Sequence, residues 1–129
     1  MNNEKRVVIT GMGVISSVGN DVQTYWKNLK DGVCGIEVID NFPTDNLPVK
    51  IAGKIKDFNP EDYGMDKPFV RKQDRFTQYG VAAAYQAMQD SGLVAEGEGA
   101  NIDPFRLGVY VGSGIGGFEV QYRDPDRRG

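Results

Sequence analysis

The chain of 129 residues contains no histidine and a single cysteine, Cys34. The first absence removes the commonest general base and the commonest metal ligand. The second excludes an intrachain disulfide and any cysteine-built metal cage. Chemistry performed by this chain alone would fall to carboxylates, lysines, tyrosines or backbone amides. No apolar run approaches the ~20 residues that a bilayer crossing requires. The N-terminus, MNNEKRVVIT, is charged and lacks an extended apolar stretch, so neither membrane association nor a signal peptide is expected. The cytoplasm is the expected location. A net charge of −3 argues against general nucleic-acid binding while leaving room for a local basic patch. The length suits one domain or part of one.

The clearest signal is Val7 to Gly19, VVITGMGVISSVG, a β-branched apolar run ending in glycines. Such a run suits a strand covered on both faces, and Gly11 and Gly13 allow a sharp turn or a close approach. Leu107 to Gly117, LGVYVGSGIGG, repeats the design. Together they predict two neighbouring strands of one buried parallel sheet. Between them, Asn20 reads as an N-cap with Gln23 as its reciprocal partner, followed by a helix over 21–30 whose apolar face is Val22, Tyr25, Trp26 and Leu29. VCGIEVI and VKIAGKI read as peripheral strand or hairpin segments around a proline-containing excursion, and Pro60 as a first helical position. One long helical region is expected from Lys67, opening with the basic stripe Lys67, Arg71, Arg75 and Lys72 beside it. It continues through the alanine-rich FTQYGVAAAYQAMQDSGL, expected to be buried on most sides and to end at Ser91-Gly92. The alternation of strands and helices predicts an α/β fold with a covered, mostly parallel sheet.

Gly112, Gly114 and Gly117 satisfy the dinucleotide-binding spacing, but the required acidic residue some twenty positions later has no room in the twelve residues that remain. Close packing of strand ends and helices is the plainer role for these glycines. Cys34 follows a helix C-terminus, where the dipole disfavours a thiolate and no histidine can activate it, so no nucleophilic role is assigned. Ser113 lies outside the hydrolase-elbow pattern. The cations Lys67, Arg71, Lys72 and Arg75 form either a solvated helix surface or a docking patch for an acidic partner.

RVVITGMGVISSVGN, YWKNLKDGVCGI, IAGKIKDFNP, DRFTQYGVAAAYQAMQDSGL and LGVYVGSGIGGFE, in this order and spacing, resemble the β-ketoacyl-acyl carrier protein synthases, specifically the elongating type II enzymes of bacterial fatty acid synthesis. The resemblance covers about residues 5–120 and implies a thiolase-like fold, of which residues 1–129 would be an incomplete N-terminal αβα half. The seven residues 123–129 fall outside its pattern. It implies homodimers, acyl and malonyl groups delivered on acyl carrier protein, no cofactor and no metal. The implied reaction is a decarboxylative Claisen condensation, using a cysteine at a helix N-terminus and two histidines. None of these catalytic side chains is in this chain, and Cys34 matches a small-residue loop position instead. Gly114 and Ile115 match the segment lining the acyl-chain pocket. Lys67, Arg71 and Lys72 match the carrier-docking segment, with Pro68 replacing a basic residue of some members. The chain alone is expected to be inactive and marginally stable, its sheet edge and alanine-rich helix uncovered. Two other readings are a carrier-docking module without catalysis and a nucleotide-binding α/β domain.

Overall fold

A computed structural model describes residues 4–117. Its elements in chain order are α1 (Val22–Lys30), β1 (Ile36–Val38), β2 (Ile51–Gly53), a 3-10 turn at Pro60–Tyr63, α2 (Lys67–Lys72), α3 (Arg75–Ser91) and a second 3-10 turn at Pro104–Arg106. The two short strands pair antiparallel, with Glu37 opposite Ala52. The ion pairs Lys56–Glu37 at 2.7 Å and Lys54–Asp40 at 2.5 Å flank them.

The longest helix, α3, organises the rest. Gly11 to Val14 lies along it so closely that a Cβ on Gly11 would strike the Ala87 carbonyl oxygen, and one on Gly13 the Ala83 carbonyl oxygen. The Met12 amide donates to Asp90 Oδ2 at 3.0 Å and the Val14 amide to Gln86 Oε1 at 3.1 Å. Alternate amides of an extended segment repeat every ~6.6 Å, and side chains four apart on a helix every ~6 Å. The helix thus stands in for a neighbouring strand, its carboxylate and amide matching the donor spacing. Gln86 Nε2 also donates to the Asn20 carbonyl at 2.6 Å, fixing the entry to α1. Beneath α3, Phe58 stacks on Tyr63 with centroids 5.5 Å apart and meets Tyr79 edge-on at 4.8 Å.

Three sequence expectations are revised, and the buried parallel sheet is unconfirmed. Val7–Thr10 and Leu107–Val111 form no strand among the described residues; Val7 is 96% and Tyr110 98% exposed. A buried parallel strand needs partners on both edges and cover on both faces, and the available short strands pair with one another instead. Asp21, not Asn20, caps α1, accepting from the Thr24 amide at 2.8 Å and its hydroxyl at 2.7 Å. Asn20 is engaged elsewhere, its Nδ2 donating to the Lys56 carbonyl at 2.6 Å. The region from Lys67 is two helices, because Gln73 (φ −110°, ψ 141°) and Asp74 are extended and Asp74 restarts the helix as N-cap. Finally, α3 is not covered on most sides: only Gln78 and Ala82 are buried on it, while Phe76, Val81 and Tyr85 are exposed. The expected hairpin segments, the Pro60 turn and the helix end at Gly92 (φ 65°) all appear.

Replacing Gly13 by Ala should lift the segment off α3, because the obstructing atom is backbone and cannot swing aside; the cost expected of such overpacking is ~1–3 kcal/mol. Hydrogen exchange at the Met12 and Val14 amides should accelerate. Gly112→Ala, where an added Cβ meets open space, should leave exchange unchanged. Unaltered protection in Gly13→Ala would refute the seating on α3.

The hydrogen bonds from Thr24 hold the Asp21 carboxyl below the usual carboxylate range. A depressed folded pKa gives stability present above the unfolded value of ~3.9 and lost as pH falls through the folded value. Asp21→Ala should cost ~1 kcal/mol at neutral pH, and α1 should fray on acidification below about pH 4. An NMR titration placing Asp21 at an ordinary carboxylate value would contradict this.

Candidate functional site

The break between α2 and α3 brings two kinds of surface together. On the α3 side, Asp74, Arg75, Phe76 and Tyr79 face Ile115, Gly116 and Gly117 across a cleft of about 400 Å³. The two glycines have positive φ, 61° and 64°, which folds the loop back over the helix. A Cβ on Gly116 would lie 3.0 Å from the Phe76 ring, so the loop touches that ring through backbone. Ile115 is 84% exposed and lines the mouth of the cleft. Gly114 does not line it, and a Cβ there would meet open space.

On the α2 side the surface is basic. Asp66 caps the helix by accepting from the Phe69 amide at 2.8 Å, and Pro68 occupies an early position where no amide hydrogen is needed. Lys67 sits 3.8 Å from Glu61 in a loose, exposed pair. Arg71 and Lys72 occupy the last turn, exposed, with no ion pair to any described residue. Basic residues there complement the negative end of the helix dipole. Arg75 belongs to α3 instead, so the expected stripe through Lys67, Arg71 and Arg75 is interrupted, and Arg75 turns into the cleft lining.

Cys34 is exposed, its thiol 3.7 Å from the Ile36 carbonyl oxygen. The spacing Gly112, Gly114, Gly117 has no formed strand ahead of it among the described residues. The segment from Phe118 on, including the off-pattern residues 123–129, lies outside the described residues. No cluster of metal-ligating side chains occurs among the described residues, and no described helix is long and apolar enough to cross a membrane.

Sequence reasoning did not single out Phe76 and Tyr79, which shape the cleft, or Gln78, which bridges the two helices. Gln78 was nevertheless visible as an amide-bearing side chain four residues before Ala82, on the ridge that continues to Gln86 and Asp90.

Known proteins match this chain along most of its length. The family model described as "Beta-ketoacyl synthase, N-terminal domain" matches residues 4–128. A Staphylococcus aureus (strain N315) protein named 3-oxoacyl-[acyl-carrier-protein] synthase 2 is 48% identical over 120 residues, 93% of this chain and 28% of that protein. The Vibrio cholerae protein of the same name is 48% identical over 118 residues, 92% of this chain and 27% of its own. The chain therefore spans little more than a quarter of these relatives' length. The solved structure titled "The ishigamide ketosynthase/chain length factor" superposes with a TM-score of 0.61 at 38% identity, covering 67% of this chain and 21% of its own. With the family match running from residue 4 to residue 128, this chain belongs to the β-ketoacyl synthase family, whose N-terminal domain it matches.

Proposed function

We propose that the chain is the N-terminal portion of a cytoplasmic, homodimeric 3-oxoacyl-[acyl-carrier-protein] synthase that lengthens acyl chains in bacterial fatty acid synthesis. The observation that carries this reading is the 48% identity, over 93% of the chain, to a relative bearing that name. In the complete enzyme an acyl group passes from its carrier thioester to a cysteine thiolate, expelling the carrier thiolate, which takes a proton from solvent. Malonyl carrier protein loses carbon dioxide to give an enolate. The enolate attacks the acyl-cysteine carbonyl and expels the thiolate, yielding a β-ketoacyl thioester two carbons longer. The nucleophilic cysteine and both histidines of that scheme have no counterpart in this chain, whose only cysteine is Cys34 and which has no histidine.

What this portion contributes is placement. Gly114 and Ile115 belong to the acyl-chain pocket of the complete enzyme; for Ile115 this is supported by its position at a cleft beside Phe76 and Tyr79, a cleft that Gly114 does not line. Lys67, Arg71 and Lys72 receive the acidic carrier protein, supported by the exposure of all three and the freedom of Arg71 and Lys72 from ion pairs with described residues. Val7–Thr10 and Leu107–Val111 become adjacent parallel strands of a buried sheet in the complete enzyme. Their exposed, β-branched runs support this, since such surface is normally covered.

Assayed with acyl and malonyl carrier protein, the 129-residue chain should release no β-ketoacyl product detectable by mass spectrometry. Product above a boiled control would overturn the assignment of chemistry to residues beyond this chain. The freedom of Arg71 and Lys72 also favours a second reading, in which the chain docks carrier protein without catalysis. Titration of labelled carrier protein should then show saturable binding that weakens with salt and falls about tenfold in Arg71→Glu, where attraction is replaced by repulsion. No binding, or equal binding by both proteins, would remove the docking role.

A further inference from the structure

Gln78 is the one polar residue buried among the described residues, 4% exposed, on the first turns of α3. Its Nε2 donates to the Gln73 carbonyl at 2.9 Å and to the Val70 carbonyl at 3.2 Å. These two carbonyls belong to the C-terminal end of α2, where backbone acceptors have no helical partner. They bracket Arg71 and Lys72. The amide can take only this orientation, because the reverse would set its Oε1 against two carbonyl oxygens. The arrangement leaves Oε1 without a hydrogen-bond partner among the described residues, a cost in a buried position.

A helix of six residues does not hold itself together. At its start α2 is fixed by the Asp66 cap and follows the buried Met65. At its end the chain leaves the helix, and Gln73 and Asp74 are extended. Gln78 therefore spans the break from the far side and ties the basic turn to the helix whose Arg75, Phe76 and Tyr79 line the Ile115 cleft.

We infer that Gln78 is a positioning residue for carrier docking: by holding the Val70 and Gln73 carbonyls it fixes the direction in which Arg71 and Lys72 project relative to the cleft. This rests on the docking reading of α2. The benefit is entropic. Two cations on a frayed turn would have to be ordered at each encounter, whereas a tethered turn presents them already aligned.

The test compares the wild-type chain, Gln78→Met, the paired change Arg71→Gln with Lys72→Gln, and all three changes together. Gln78→Met keeps an unbranched side chain of similar length and removes the donor. It should weaken acyl carrier protein binding roughly three- to tenfold, the range given by losing the net worth of about one hydrogen bond. In the Arg71→Gln, Lys72→Gln background the same change should add less than about twofold, since the cations it aligns are gone. Amide exchange should accelerate at Arg71, Lys72 and Gln73 and stay unchanged at Ala83 to Met88. A uniform loss of affinity in both backgrounds would mark a merely structural role and overturn the inference. So would unchanged binding by Gln78→Met alongside accelerated exchange in α2. Absence of binding by the wild type removes the docking reading and this one with it, an outcome distinct from the other two. If Gln78→Met fails to fold, the wild type decides: its Gln78 side-chain amide protons should exchange more slowly than those of exposed Gln89 and shift on adding carrier protein. Exchange as fast as Gln89, or no shift at saturation, refutes the role.

Discussion

The contact on which the described structure most depends is that between the backbone of Gly11–Val14 and the backbone of α3. It is close because neither side interposes a side chain: the glycines have no Cβ, and Ala83 and Ala87 supply only methyls and carbonyls. It is specific because Asp90 and Gln86 accept the two amides that point toward the helix. Close approach without those acceptors would bury unsatisfied amide groups, and acceptors without close approach could not reach. Gln86 extends the arrangement to the Asn20 carbonyl, so the same side chain orients the turn into α1. From there Asn28 Nδ2 donates to the Val18 carbonyl at 2.6 Å, and Gly35 and Gly53 pack on Ser17. The position of the β1–β2 pair is thus inherited from α3 through a chain of short contacts.

Features set by neighbouring residues were legible in the sequence. Pro60 opening a turn, Gly92 closing α3 at positive φ, and the apolar stretches that became β1 and β2 each follow from local steric preference. Where the sequence misleads, a distant partner decides. Asn20 and Asp21 are both good caps by type, and the choice between them is made by Lys56, whose carbonyl takes the Asn20 amide. The run from Lys67 to Ser91 has helical periodicity throughout, yet it breaks at Gln73. The signal available was Asp74, a residue type that starts helices, but its presence cannot reveal that Gln78 would satisfy the carbonyls exposed by the break. Within the candidate site the cations of α2 and the glycine loop were legible. Phe76 and Tyr79 were not, since only folding brings them opposite Ile115.

The β-branched runs pose the opposite problem, because their composition is right and their environment is not supplied. Val7, Val8 and Ile9, like Val109, Tyr110 and Val111, are more than half exposed. Hydrophobic burial scales with area removed from water, at about 25 cal/mol per Å². The described residues remove little of it, with Met65 and Ala82 the only buried apolar side chains. The 40% hydrophobic content is ordinary for a protein with a full core. Composition and packing therefore disagree, and the surplus is concentrated in these segments and the uncovered sides of α3. Relatives more than three times as long offer a consistent physical account of where that surplus would be buried.

The small residues of α3 make sense in the same terms. A helix approached by backbone on one side needs glycine or alanine only along that side, and Ala83 and Ala87 meet the need here. Ala84, one position around, is exposed, as are Gly80 and Val81. Small side chains at exposed positions gain little for an isolated helix beyond propensity, and Gly80 loses even that, at a cost of ~1 kcal/mol relative to alanine. Their presence on a second face is accounted for if another layer approaches there as closely as Gly11 and Gly13 do on the first. The helix would then be the middle of a stack, holding the glycine segment on one side, carrying the α2 cations at its start through Gln78, and offering its remaining face to further structure.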